Sequence, residues 1–207
     1  MPETVQWTGV NSGDLTDAAN WNPARVPGSD PTNHPQDVAT FNGGSVANEA
    51  ADQGGTISPW GVLVGTVNEL VSGTINVGAG GFTISAGTAL AGISTSSGMS
   101  MVINGTVTIT VSGSGGAVVL AGGPSNSLTI NGNVNCNNAI GSVAIGGKVN
   151  INGTLYRNTS TSTVYFYDPT GTGVGPNIKQ FVTGPSNQYP IQGSGGGVPM
   201  SRVKLGM

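Results

Sequence analysis

The stretch "INGTV" (103–107) returns as "INGNV" (130–134) and again as "INGTL" (151–155). An apolar residue, Asn-Gly, one polar residue and a second apolar residue recur three times, with the asparagines at 104, 131 and 152. A second series keeps its own rhythm: "ALAG" (89–92), "VLAGG" (119–123) and "AIGG" (144–147). "GVLVG" (61–65) and "GFTIS" (81–85) read as earlier members of the first series. Two interleaved series repeating every 20–30 residues are what a solenoid produces, each series marking one face of the coil. In that reading Ile and Val point inward and Asn-Gly turns a corner, because Asn tolerates left-handed backbone and Gly has no Cβ to clash.

Asn-Gly between alternating apolar runs is also a strong hairpin signal. "MVINGTVTITV" (101–111) reads equally as one hairpin of an antiparallel β-sandwich. Charge separates the two readings. An antiparallel sheet commonly keeps one solvated, polar face, whereas stacked parallel rungs can line asparagines up in side-chain hydrogen-bond ladders. The expected fold is therefore all-β: a short right-handed parallel β-helix, with the antiparallel sandwich as the alternative.

Composition agrees with strands. Of 207 residues 36 are Gly, and only 7% are charged, against about 25% in an ordinary globular chain. Gly and β-branched residues both disfavour helix interiors, and Val, Ile and Thr suit a pleated surface. The glycines follow no Gly-X-Y period, which excludes collagen.

Charge divides the chain into three. Residues 1–55 hold seven acids and Arg25; residues 56–156 hold only Glu69 and Lys148; residues 157–207 hold Arg157, Lys179, Arg202 and Lys204 against Asp168. These are read as an N-terminal cap region, a coil, and a C-terminal capping strand with an extended arm. In the last part "TVYFYDP" (163–169) is an aromatic-rich final strand, and Val198 to Met207 alternates apolar with basic residues. Tyr165, Phe166, Tyr167, Arg202 and Lys204 are the candidate contacts to another subunit or to a capsid.

The segment "VQWTGVNSGDLTDAANWNPARVPGSDPTNHPQDVATF" (5–41) runs Trp-Thr-Gly, a polar loop, Ala-Asn-Trp, Val-Pro, then Asp-Val-Ala-Thr-Phe. Through Trp7, Thr8, Gly9, Asn20, Trp21, Pro27, Asp37, Val38 and Phe41 it resembles the module that opens many bacterial surface and autotransporter-like β-helix proteins. The resemblance implies a β-helix behind this module. Trp7, Trp21 and Phe41 are the candidate lid, since the first rung of a coil exposes an apolar end and unpaired strand edges. The alternative use of Trp7, Trp21 or Trp60 is sugar stacking.

Chemistry is sparse. Enzymatic glycoside cleavage needs paired carboxylates and general acid–base work needs positioned titratable groups; the coil offers Glu69 and Lys148. His34, the only histidine, lies in the Pro-rich loop "DPTNHPQD" (30–37) and reads as a surface residue. Asp14, Asp17, Asp30 and Asp37 lack the Asp-x-Asp-x-Asp-Gly spacing of a calcium loop. Asn104, Asn152 and Asn158 stand in N-x-[ST] patterns, read here as corner chemistry. Cys136 alternates with Val134 and reads as a small core residue. No catalytic, cofactor or metal set is expected, and six basic residues make no nucleic-acid footprint. "MPETVQWTG" (1–9) shows no basic and apolar leader pattern, and no apolar run approaches the about 18 residues of a membrane helix.

The expectation that fits these readings is a non-enzymatic structural protein of a virion, assembled in the host cytoplasm. It would act as a capsid cement or decoration protein of a bacteriophage, a homotrimer by analogy with trimeric viral fibres, contacting the major capsid protein or another virion protein. Uncharged walls suit burial, since charge is depleted at interface cores. The alternative is a receptor- or glycan-binding adhesin or tail-fibre module, on a bacterial cell surface in the adhesin case.

Overall fold

The structure is a computed structural model and describes residues 1–41, 55–65, 72–87, 91–95, 98–122, 125–138, 142–157, 163–167, 175–183 and 204–205. Its elements are β1 (Glu3–Trp7), a 3-10 turn (Ala18–Asn20), β2 (Trp21–Asn22), β3 (Asp37–Phe41), β4 (Thr56–Ile57), β5 (Gly61–Val64) and β6 (Gly73–Asn76). Then follow β7 (Gly81–Ala86), β8 (Ala91–Thr95), β9 (Ser100–Asn104), β10 (Val107–Val111), β11 (Gly116–Ala121) and β12 (Ser127–Ile130). The last are β13 (Val134–Asn138), β14 (Ser142–Gly146), β15 (Val149–Arg157), β16 (Thr163–Tyr167), β17 (Asn177–Thr183) and β18 (Lys204–Leu205).

The strands stack in three tracks. One holds β1, β3, β5, β7, β10, β13 and the second half of β15; one holds β4, β6, β9, β12 and the first half of β15; one holds β8, β11, β14 and β16. From β8 to β14 the chain visits the tracks in a fixed order. β15 crosses two of them in one nine-residue strand, pairing with β12 through Val149–Ile151 and with β13 through Leu155–Arg157. That crossing joins the first two tracks into a 14-stranded sheet beside a 4-stranded one. Among the described residues every pairing is parallel except β1 with β2.

Parallel stacking overturns the sandwich alternative. In a hairpin β9 and β10 would pair with each other. Instead β9 lies between β6 and β12, and β10 between β7 and β13. The physical reason is the register, which places like residues on like. Ile75, Ile103, Ile130, Ile151 and Ile178 form one inward column, each with at most 1% of its surface exposed. Fully burying an aliphatic side chain of this size stabilises by roughly 1.5–3 kcal/mol, so slipping the register by one residue would expose the whole column. A second column runs Phe41, Val64, Ile84, Ile109, Cys136, and continues to Arg157.

The repeated Asn-Gly pairs have two separable jobs. The asparagines form a ladder: Asn152 Nδ2 donates to Asn131 Oδ1 (2.6 Å), Asn131 Nδ2 to Asn104 Oδ1 (2.8 Å), and Asn104 Nδ2 to Asn76 Oδ1 (2.7 Å). Asn76 Nδ2 then donates to Ser58 Oγ at 3.2 Å. The glycines let rungs approach. A Cβ on Gly132 would overlap the Gly105 carbonyl, and one on Gly153 would overlap the Gly132 carbonyl. The corner reading holds at Asn104-Gly105 and Asn131-Gly132, where strands end. At Asn152-Gly153 it fails, because β15 runs straight through.

Candidate functional site

Three features of the described residues carry chemistry or contact potential: an N-terminal aromatic cluster, a charged clamp beside it, and the outer walls.

Trp7 and Trp21 are register partners across β1 and β2, and Phe41 ends the neighbouring β3. Their rings meet at centroid distances of 5.0, 5.5 and 6.2 Å, two of the three contacts edge-on, the geometry aromatic quadrupoles favour. Trp21 Nε1 donates to the Leu15 carbonyl at 3.0 Å. Since Phe41 stacks on Val64, the cluster sits at the first end of an inward column. Trp7 and Trp21 are each only 2% exposed, so neither offers a face to a sugar. Trp60 is half-buried, with Gly80 lying on its ring.

Asn20 explains the spacing of the opening motif. Its Oδ1 accepts the Asn11 and Ser12 backbone N–H groups, and its Nδ2 donates to Ser12 Oγ and the Asp14 carbonyl. Its own carbonyl accepts from Thr8 N, Thr8 Oγ1 and Gly9 N. Trp-Thr-Gly and Ala-Asn-Trp are thus tied together through one buried amide.

Arg25 lies between two carboxylates. Its Nη2 donates to Asp37 Oδ1 at 2.7 Å and to Glu3 Oε2 at 2.8 Å, while Nε donates to Asp37 Oδ2 at 3.1 Å. Asp37, first by hydrogen bonding, raises the Arg25 guanidinium above its ordinary value. His34 Nδ1 is 2.9 Å from Glu3 Oε2. The sole histidine therefore lies within hydrogen-bond distance of the clamp. Ligand atoms of Glu3, His34 and Asp37 lie within 4.8 Å of one another, a spacing that could hold a metal. Here the guanidinium already stands as the cation between the two carboxylates.

The other N-terminal acids close their own turns. Asp14 accepts from Thr16, Asp17 from Asn11 and Ala19, and Asp30 from Asn33. Asn11, first, holds the Asp17 carboxyl below its ordinary value, and Asn33 does the same for Asp30. Cys136 is fully buried, and desolvation pushes its thiol up to about 12.

No strand from β4 to β14 carries a charged residue. The outward positions differ by track. Thr83, Thr108, Asn135 and Tyr156 line one wall, and Thr74, Val102, Thr129 and Asn150 a second. The third wall is Gly92, Val118, Ala144 and Tyr165; a Cβ on Gly92 would overlap Val118.

Of the expected contact residues, Tyr165 is half-buried on the third wall, while Phe166 is 1% exposed and packs in the core. Phe166 therefore leaves the contact set: strand alternation turns it inward onto Ile145. The side chains of Tyr167 and Lys204, all of Arg202, and Glu69 and Asp168 lie outside the described residues. Two features escaped sequence reading. Arg157, 3% exposed, continues an inward column, and the clamp brings together residues separated by 12 to 31 positions. Comparison of the chain with protein-family models, with curated proteins and with solved structures finds no match.

Proposed function

We propose that the chain is a short right-handed parallel β-helix acting as a non-enzymatic structural protein of a virion, a capsid cement or decoration protein that associates with its own copies, three side by side. The observation that carries this reading is the run of uncharged walls from β4 to β14. Desolvating such walls against another protein leaves no buried charge unpaired. Support also comes from the placement of the charged groups. Arg25 pairs with Glu3 and Asp37 beside the aromatic cluster, and His34 Nδ1 meets Glu3 Oε2, so these described ionisable groups have protein partners.

Co-sedimentation of the purified chain with candidate capsids, with its mass measured by light scattering, tests the proposal. A trimeric mass and capsid-dependent pelleting are expected. A monomer that ignores capsids would overturn it.

A second reading, a glycan-binding adhesin or tail-fibre module, is favoured by the neutral hydrogen-bonding wall of Thr83, Thr108 and Asn135 beside Tyr156. Burial of Trp7 and Trp21 removes them as platforms. Glycan-array binding lost in Thr108→Val, together with no pelleting on capsids, would select this reading.

A further inference from the structure

Asn-Gly is the dipeptide most prone to lose its side-chain amide. Gly lacks the Cβ that would hinder its backbone nitrogen from reaching the preceding side chain. The ladder places three such pairs in one line but does not hold them alike. Asn104 and Asn131 each use both amide atoms within the ladder, Nδ2 as donor and Oδ1 as acceptor. Asn152 is the last rung. Its Nδ2 donates to Asn131, and no further asparagine follows to donate to its Oδ1, because Lys179 comes after Ile178 where an asparagine comes after Ile75, Ile103, Ile130 and Ile151.

Backbone pairing also lapses there. β15 pairs with β12 as far as Ile151 and with β13 from Leu155, and its register against β17 shifts between Ile151 and Thr154. Asn152 is exposed, whereas Asn104 is half-buried.

We propose that Asn152 is a deamidation site of the folded chain, and that the ladder sets the order of conversion, from Asn152 through Asn131 to Asn104. In the first step the Gly153 backbone nitrogen attacks Asn152 Cγ. A C–N bond forms, the Cγ–Nδ2 bond breaks, and ammonia leaves with the proton that Gly153 N gives up. Water then opens the cyclic imide at either carbonyl, leaving aspartate or isoaspartate; nothing is oxidised or reduced. Either product lacks the Nδ2 donor, so Asn131 Oδ1 loses its partner and Asn131 becomes the new open end. Isoaspartate also adds one methylene to the backbone of β15, between the parts paired with β12 and β13.

The extra amide bond on Asn131 should slow its conversion relative to Asn152 by roughly two- to tenfold, the factor one net hydrogen bond supplies. Peptide mapping by mass spectrometry, on the full chain aged in mildly alkaline buffer, reads each site separately, Asn42-Gly43 included. In Asn152→Ser the open end moves, and Asn131 should convert about as fast as Asn152 does in the native chain, with Asn104 still slow. In denaturant the three sites should become similar. Equal rates at 104, 131 and 152 in the folded chain, or an Asn131 rate unchanged by Asn152→Ser, would overturn the proposal.

Discussion

Asp37 accepts two hydrogen bonds from the Arg25 guanidinium, through Nη2 at 2.7 Å and Nε at 3.1 Å, with the Asp37 side chain wholly buried and the Arg25 side chain 19% exposed. The pair fastens the 23–37 loop to the start of β3, the strand that ends at Phe41 of the aromatic cluster. Replacing one member leaves the other desolvated without its partner, which is the costly case for a buried pair.

Asp37→Asn is therefore expected to lower stability by about 3 kcal/mol. Glu3→Gln, at the half-exposed end of the same clamp, should cost under about 1 kcal/mol. Urea unfolding midpoints of the two variants check the order; equal losses would show that Arg25 does not depend on Asp37.

Acid should loosen the N-terminal loop. The Asp17 carboxyl is held below its ordinary value of 3.8, first by Asn11 and then by the Ala19 N–H. A depressed carboxyl contributes stability that is fully present above the unfolded value and is lost as pH falls through the folded one. Asp17→Asn should flatten the acid limb of a stability-versus-pH curve by lowering stability at neutral pH, while the acid end stays little changed. Arg25 has the opposite sign: its raised value means its contribution is fully present at every pH below its ordinary value, so the clamp is not expected to weaken in mild alkali.

Gly132→Ala should destabilise by about 1–3 kcal/mol, the usual range for overpacking, because its Cβ would strike the Gly105 carbonyl in the rung below. Gly98→Ala is the control. Its Cβ would meet open space, leaving only the strain of a φ of +79°, about 1–2 kcal/mol. Thermal melts of the pair separate close approach from backbone conformation.

Cys136 should resist thiol reagents in the folded chain. The thiolate is the reactive form, and desolvation pushes this thiol up to about 12. Alkylation is expected only after unfolding, at a rate that tracks denaturant; rapid native labelling would mean that β13 opens readily.

The parallel stacking was legible because its information is local and repeated. Ile103, Ile130 and Ile151 each stand before Asn-Gly, so one pattern carried the inward column, the spacing and the asparagine alignment at once. Trp7, Trp21 and Phe41 were legible as packing residues because bulky aromatics are scarce in this chain, and their rings do meet. What escaped was non-local or non-repeated. Arg25 meets Asp37 and Glu3 only after the loop folds back, and no spacing rule pairs them. Arg157 occupies an inward position because β15 crosses two tracks without a break, while the repeat led one to expect a corner at Gly153. Phe166 looked available because three aromatics in a row hide which one alternation turns inward.

The asparagine ladder points all its donors the same way, toward the amino terminus, and each link spans one stacked layer. Such a design has no natural length. Duplicating the 27 positions that separate Asn104 from Asn131 would present the inserted amide with a matching acceptor below and a matching donor above. The molecule should accept whole added layers, of 27 positions or of the 21 that separate Asn131 from Asn152, whereas an insertion that is not a whole layer would strand a carbonyl and a side chain at the seam.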